Sequence, residues 1–344
     1  MKLLVTGGLG YIGSHTVVSL LDAGYEVIII DNLSNSHLSV LKRINNICLR
    51  KASFIEGDIR NRTVLNQIFN SYNIDAVIHF AGLKSVDQSI SSPISYYDNN
   101  VVGTLALLEE MLRHDVMRFI FSSSATVYGS PKSIPIKESN EVGHTTNPYG
   151  TSKLIIEKIL SDICYSNSSF RCTILRYFNP VGAHTSGLLG EDPRGKPNNL
   201  MPYICQTAIG KLNEVHIFGN DYNTHDGTGV RDYIHVMDLA EGHVAAVKAS
   251  NEGENCKIYN LGTGKGYSVL DLIKTFEQIT NVAVPHIFVG RRPGDIAECW
   301  SDPSKAYEEL NWRAKKDLAD MIRDAWKWQV QNPNGYSDDY LLPI

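Results

Sequence analysis

The segment Thr6-Gly7-Gly8-Leu9-Gly10-Tyr11-Ile12-Gly13 joins an apolar run at residues 3–6 to a helical pattern over residues 11–23, and nothing else in the chain constrains its fold as strongly. It satisfies GxGxxG through Gly8, Gly10 and Gly13, and GxxGxxG through Gly7, Gly10 and Gly13. Either register removes Cβ atoms where backbone must turn tightly and approach a pyrophosphate, with the free amides and partial positive charge of a helix N-terminus facing it. Apolar Ile12, Val17, Val18, Leu20 and Leu21 give the helix a buried side, and Gly24 suits its C-cap. A second apolar run, residues 26–31, completes a βαβ unit. GxGxxG alone is weak evidence, but flanked by a strand and a helix it predicts a dinucleotide site.

Asp31 ends that second run, 18 residues after Gly13, near the spacing at which a carboxylate accepts hydrogen bonds from the adenosine ribose. The following Asn32-Leu33-Ser34 offers no Arg or Lys for a 2′-phosphate, which favours NAD over NADP. Asp58 is a weaker candidate for an adenine contact. Further short apolar runs at residues 54–57, 76–80, 119–123 and 173–178 are separated by helix-length intervals. Six strands in this rhythm predict an α/β fold with a Rossmann-type, doubly wound parallel sheet. After about residue 180 prolines and a glycine-rich stretch at 219–229 break the rhythm. We therefore expect an NAD-binding domain over 1–180 and a smaller C-terminal α/β substrate domain over 181–344, with some later segments packing back on the first. In that later part the pattern predicts helices at 238–248 and 269–279, the second capped by Ser268, and a strand at 257–261.

Composition excludes several classes. Thirty-two Lys and Arg against 37 Asp and Glu give a net charge of −5, without the basic field of a nucleic-acid or membrane-surface binder. No apolar run reaches transmembrane length, and the first one breaks into glycine too early for a signal-peptide core, so a cytoplasmic location is expected. Six cysteines without CxxC and eleven histidines without HExxH indicate neither a disulfide framework nor a metal site.

Downstream, Asn147-Pro148-Tyr149-Gly150-Thr151-Ser152-Lys153 opens a helix with Pro148 in its first turn, which puts Tyr149 and Lys153 one turn apart on one face. A phenol ionises near pH 10, so a tyrosine base needs cations that favour the phenolate; Lys153 and an oxidised nicotinamide could supply them. Ser122-Ser123-Ser124, at a strand end, offers hydroxyls to hold a substrate alcohol.

With these residues in place the chain resembles the extended short-chain dehydrogenase/reductases, and most closely the bacterial UDP-glucose (UDP-galactose) 4-epimerases. The resemblance rests on TGGLGYIGSH, DNLSNS, EGDIRN, VIHFAGLKSV, YYDNNVVGT, FSSSATVYG, NPYGTSK, LRYFNPVGAH, PNNLMPY, IFGNDY, DGTGVRDYIHVMDLA and YNLGTG, and runs to about residue 315. It implies a tightly held NAD contacted by Gly7, Gly10, Tyr11, Ile12, Gly13, Asp31, Asn32, Leu33, Ser34, Asn35 and Ser36. Further contacts implied are Asp58, Ile59, Phe80, Ala81, Gly82, Leu83, Lys84, Asn99, Tyr149, Lys153 and Phe178. It also implies that Tyr149 takes the proton of the sugar 4-hydroxyl while hydride leaves carbon 4, that Lys153 lowers the tyrosine pKa, and that Ser124 assists. The 4-keto sugar then swings about its phosphate linkage and receives hydride on the other face.

By the same resemblance Ser124, Asn179, Asn199, Leu200, Val215, His216, Ile217, Phe218, Arg231, Arg292 and Asp295 fall at nucleotide-sugar positions. Two arginines on an acidic chain suit a pyrophosphate clamp. The chain departs from many glucose-type epimerases at Cys299, where those enzymes carry Tyr against the sugar ring. A smaller side chain leaves room beside carbon 2, so activity on UDP-GlcNAc and UDP-GalNAc is expected beside that on UDP-Glc and UDP-Gal; the alternative is UDP-Glc and UDP-Gal only. A dehydrating relative would carry an Asp-Glu pair where this chain has Ala125-Thr126, and a non-catalytic NAD-binding regulator would not need Ser124, Tyr149 and Lys153 together. The loop Gly262-Thr263-Gly264-Lys265-Gly266 misses the phosphate-loop pattern and is read as a structural turn. Helices expected over 94–113 and 152–165 carry apolar residues on more than one face, as in the family's homodimers.

Overall fold

A computed structural model describes residues 1–336 apart from residues 196, 251, 252 and 293. Its first part alternates: β1 (Lys2–Thr6), α1 (Tyr11–Asp22), β2 (Glu26–Asp31), α2 (Ser39–Ile47), β3 (Ser53–Glu56), α3 (Arg62–Ser71) and β4 (Ala76–His79). There follow α4 (Val86–Ser91), α5 (Pro93–Tyr96), a π-turn (Tyr97–Val102), α6 (Gly103–Arg113), β5 (Arg118–Ser124), α7 (Pro148–Ser166) and β6 (Arg171–Tyr177). The later chain forms β7 (Asn179–Val181), α8 (Leu200–Ala208), β8 (Val215–Phe218), β9 (Val230–His235), α9 (Val236–Ala249) and β10 (Cys256–Leu261). It ends with β11 (Gly266–Ser268), α10 (Val269–Thr280), β12 (His286–Val289), β13 (Glu298–Cys299), α11 (Ser304–Leu310) and α12 (Leu318–Gln331).

The main sheet has seven strands in the order β10-β6-β5-β4-β1-β2-β3, every neighbouring pair parallel. Its strands are apolar at consecutive positions because both faces are covered. Leu3, Val5, Ile29 and Ile78 point into one core shared with α1, α2 and α9; Leu4, Ile28, Ile30 and Val77 point into another shared with α3, α6 and α7. The strand order reverses between β4-β1 and β1-β2, so the glycine loop after β1 opens onto the crevice where ligands of such sheets bind. The six strands read from the sequence are all present, and β10 is a seventh: the chain leaves the sheet after β6 and returns 79 residues later (177 to 256) to extend its edge. A smaller core, with Met201, Ile204, Ile217, Phe276 and Met321, joins α8, α10 and α12 in the later part.

One expected helix is not continuous. Residues 94–113 divide into α5, the π-turn and α6. The wider turn lets the buried Asn100 side chain reach across: its Oδ1 accepts from the Leu83 N–H at 2.8 Å, and its Nδ2 donates to the Leu83 carbonyl and to Ser152 Oγ, both at 3.0 Å. Such π-turns are frequent beside functional sites.

Candidate active site

At the C-terminal ends of β1, β2 and β4 lies a cavity of about 400 Å³. The glycine loop forms its floor. Gly7 has φ +66°, and a Cβ there would stand 2.7 Å from the Ala81 nitrogen; a Cβ on Gly13 would overlap the Gly7 carbonyl oxygen. Only glycine permits this packing. Asp31 anchors the loop, with Oδ2 accepting from the Leu9 N–H at 3.0 Å and Oδ1 from the Leu33 N–H at 3.0 Å and Ser36 Oγ at 2.8 Å. Leu33 has a left-handed φ of 57°, an uncommon conformation for a bulky side chain that turns the loop back beside Asp31.

The walls contain most of the expected cofactor residues: Gly7, Gly10, Tyr11, Ile12 and Gly13; Asp31, Asn32, Ser34, Asn35 and Ser36; Ile59 and Asn99; and the run Phe80, Ala81, Gly82, Leu83 and Lys84. Three lie off the walls. Leu33 packs against the core, and Phe178 is buried with Val127, Tyr128 and Ile136. Asp58 holds Arg60 at 2.7 Å and Asn32 at 3.0 Å, and the guanidinium and amide donors keep its carboxyl well below the usual range.

Tyr149 and Lys153 open onto the same cavity. The Asn147 side chain caps α7, accepting from the Gly150 N–H at 2.9 Å, and Pro148 occupies the first turn. Burial pushes the Tyr149 phenol above its ordinary value, opposed by the Ser124 hydroxyl. Burial likewise brings Lys153 down to about 8, opposed by Glu157 one turn further along the helix. The Lys153 ammonium donates to the Ser122 carbonyl at 2.8 Å and sits 4.8 Å from the centre of the Phe121 ring. With burial raising the phenol, the tyrosine needs positive charge facing it before it can serve as a base, the part that the sequence reading gave to Lys153 together with an oxidised nicotinamide. Of the three serines on β5, Ser122 donates to Tyr177 and Ser123 to Glu157; Ser124 alone is placed beside Tyr149.

The expected nucleotide-sugar residues divide into groups. Arg231 and Cys299 are opposite each other in the β9–β13 pairing, and Asn179 pairs with Tyr233 further along β9. Arg292 donates to Asp295 at 3.0 Å, Arg231 lies 3.8 Å from the same carboxylate, and the Arg292 guanidinium stands over Phe218 at 5.5 Å. Cys299 packs on the cluster that includes Phe178, and burial raises its thiol to about 11. On β8 the side chains alternate: Val215 and Ile217 are buried in the later core while His216 and Phe218 are exposed. Leu200 packs on that core, and Asn199 donates to Glu191 at 2.6 Å.

Sequence reasoning missed Glu191. It lies on the cavity wall and accepts from Lys84 at 3.1 Å as well as from Asn199, so it links the cofactor side to the sugar side. Arg194 is another omission, donating to the Ser36 carbonyl at 2.7 Å. Both belong to an irregular stretch with no periodicity, and their contacts with Lys84 and Ser36 span more than a hundred residues, so no local signal marked them. The 262–266 loop wraps an internal anion: the Thr263 and Gly264 N–H groups donate to Asp232 at 2.8 and 3.2 Å.

A doubly wound sheet whose glycine loop faces a helix-borne Tyr–Lys pair defines the short-chain dehydrogenase/reductase class. Residues 4–325 match the family model described as GDP-mannose 4,6 dehydratase. The chain is 58% identical to the UDP-glucose 4-epimerase of Yersinia enterocolitica over 98% of this chain and 100% of that one. The crystal structure of UDP-glucose 4-epimerase from Bifidobacterium longum in complex with NAD+ and UDP superposes with TM-score 0.95 at 52% identity, covering 98% of this chain and 100% of that one. The UDP-Glc/GlcNAc 4-epimerase of Campylobacter jejuni is similar at TM-score 0.84 and 36% identity, over 96% of this chain and 99% of that one. This chain belongs to the UDP-glucose 4-epimerase family.

Proposed function

We propose that the enzyme interconverts UDP-Glc and UDP-Gal, and also UDP-GlcNAc and UDP-GalNAc, with NAD held in the cavity beside the glycine loop. The observation that carries the reading is that Tyr149 and Lys153 open onto the cavity whose floor is built without Cβ atoms at Gly7 and Gly13. That floor suits a pyrophosphate, and Asp31 ends the neighbouring strand where a ribose hydroxyl donor is expected. Bound there, NAD would supply a hydride acceptor, and later a hydride donor, for carbon 4 of the sugar. Gly10, Tyr11, Ile12 and Asp31 hold its adenosine and phosphates in this reading, and Lys153 its ribose.

The residues of the chain then act on protons. Tyr149 is buried and protonated until positive charge faces it, so the base forms only in the loaded site. It then removes the 4-hydroxyl proton and returns it to the epimerised sugar, while Ser124 keeps the sugar oxygen in register. Arg231 and Arg292 clamp the pyrophosphate of the nucleotide sugar, exchanging part of their bond to Asp295 for phosphate oxygens. Cys299, opposite Arg231, provides the space for a 2-acetamido group that a tyrosine would fill. Ala125-Thr126 supplies no acid–base pair for dehydration.

Purified protein incubated without added NAD, with UDP-Glc and separately with UDP-GlcNAc, tests the reading by chromatographic resolution of the 4-epimers. Conversion of both is expected. Conversion of UDP-Glc alone removes the role of Cys299, and conversion of neither removes the mechanism. A cytoplasmic homodimer is part of the same proposal: among the described residues no helix is long and apolar enough to cross a membrane. Ile90, Ile94, Val102, Leu105 and Ile155 expose apolar surface on α4 to α7, with Ile94 83% exposed. Light scattering on Ile94→Glu is expected to show monomer where the parent shows dimer.

A further inference from the structure

One wall of the cavity beside the glycine loop comes from the later part of the chain. Gly190, Glu191, Asp192, Pro193 and Arg194 line it, although they follow β7 and belong to no helix or strand. Arg194 Nη2 donates to the Ser36 carbonyl at 2.7 Å, beyond the end of β2, and Glu191 accepts from the Lys84 ammonium at 3.1 Å, beyond the end of β4. In the sheet β1 lies between β4 and β2, so a segment tied at both points crosses over the glycine loop that leaves β1. The lengths agree, since two strand spacings are about 9.6 Å and three residues of extended chain reach about 10 Å.

Behind, the segment is fastened to the chain around α12. The Tyr336 phenol accepts from the Gly190 N–H at 3.0 Å and donates to the Gly190 carbonyl at 2.9 Å, and the Tyr336 N–H donates to Asp192 at 2.8 Å. Trp328 Nε1 donates to the Glu191 carbonyl at 3.3 Å, and a Cβ on Gly190 would overlap the Trp328 ring. Trp328 and Tyr336 are buried, whereas Arg194 is exposed and so is nearly half of the Lys84 side chain. The rear attachment is therefore packed, and the front one is a few solvated charged contacts that open at much lower cost.

We propose that residues 190–194 form a retaining strap over the bound dinucleotide, with Arg194 and Glu191 as the positioning residues that set how slowly it leaves. The inference rests on the reading that NAD occupies this cavity. The glycine cradle supplies the fit from below. The strap, anchored at Tyr336 and Trp328, must lift from Ser36 and Lys84 before a molecule lying between strap and cradle can pass out. Its two carboxylates do not face a pyrophosphate unmet: Glu191 accepts from Lys84 and Asn199, and Asp192 from the Tyr336 N–H, with His37 Nε2 at 3.7 Å. Arg194 brings the strap's own positive charge to the side of the cavity where Ser36 donates to Asp31.

The test follows exchange of bound NAD in the purified, loaded enzyme against excess isotope-labelled NAD, read by mass spectrometry of the nucleotide that stays with the protein. Arg194→Ala is expected to speed exchange about 10-fold, the loss of one charged hydrogen bond, and Glu191→Gln about 3-fold. Arg194→Lys, which can still donate to the Ser36 carbonyl, is expected to bring the rate back toward that of the parent. Exchange at the parental rate in both Arg194→Ala and Glu191→Gln would overturn the strap and leave NAD in its cavity; a parent enzyme that neither carries nor takes up NAD would overturn the cofactor reading and the strap together. A measurement that needs no variant is trypsin cleavage after Arg194 in the loaded enzyme. The guanidinium must leave Ser36 to enter the protease, so the cut chain is expected to lose its NAD. A chain cut there that still exchanges NAD at the uncut rate would sink the idea.

Discussion

The two halves of the candidate site are built in different ways. The dinucleotide half comes from one local unit, β1, the glycine loop, α1 and β2, in which Gly13 packs against the Gly7 carbonyl and the Asp31 carboxylate accepts from the Leu9 N–H of the loop. The proposed nucleotide-sugar half is assembled from β7, β9 and β13, which pair through backbone, with β8 and the loop carrying Arg292 and Asp295, and its two arginines meet through side-chain charge at Asp295. A backbone cradle tolerates almost no change of shape, because an added Cβ meets main chain that cannot yield. A side-chain clamp can trade partners, since Arg231 and Arg292 already share one carboxylate. The first half thus suits a ligand that stays, and the second one that enters, turns and leaves.

The sharpest way to test this division is at the residue between the halves. Tyr149→Phe is expected to lower turnover by a factor of about 10³ or more while leaving NAD bound, read from the epimerisation rate and the cofactor released on denaturation. Substantial residual turnover would remove the phenol from the proton transfer. Gly13→Ala, by contrast, is expected to damage the cradle itself, costing about 3 kcal/mol in unfolding and releasing the cofactor. If that variant purifies with a full complement of NAD, the backbone argument fails.

On the sugar side the expected effects are smaller and selective. Cys299→Tyr is expected to lower kcat/KM for UDP-GlcNAc by about 10- to 100-fold while changing that for UDP-Glc much less. Equal losses on both substrates would show a general disturbance of the cluster around Phe178. The smallest effect concerns Lys153, brought from an ordinary value of 10.5 down to about 8 by burial. Below pH 8 both folded and unfolded chains carry this charge and the folded state bears the cost of burying it. Between pH 8 and 10.5 the unfolded chain binds more protons, so stability rises with pH through that window. Relative to Lys153→Met, the wild type is expected to gain about 1–2 kcal/mol from pH 7.5 to 10 in denaturant melts. A flat difference would show that the ammonium is not desolvated in the loaded enzyme.

Much of the dinucleotide half was legible beforehand. The six runs read as strands are all in the sheet, and Ser268 caps its helix through a box with Asp271, because periodicity, glycine spacing and capping chemistry act over a few residues. The split of residues 94–113 was not legible: apolar spacing is nearly the same through an α- and a π-turn, and what sets the break is Asn100 reaching Leu83 and Ser152. Likewise β10 is readable as a strand but not as a neighbour of β6, since partner choice is decided by which sheet edge remains open.

By itself the sequence determined the alternating α/β order, the Cβ-free turn, the Asp31 strand end, and the one-turn separation of Tyr149 and Lys153, all consequences of local stereochemistry. Only the tertiary structure decided that burial raises the Tyr149 phenol, that Glu191 joins Lys84 to Asn199, and that Cys172 and Cys256 pair across β6 and β10. Desolvation and long-range pairing depend on which surfaces the folded chain brings together, and those contacts leave no periodic trace along the sequence.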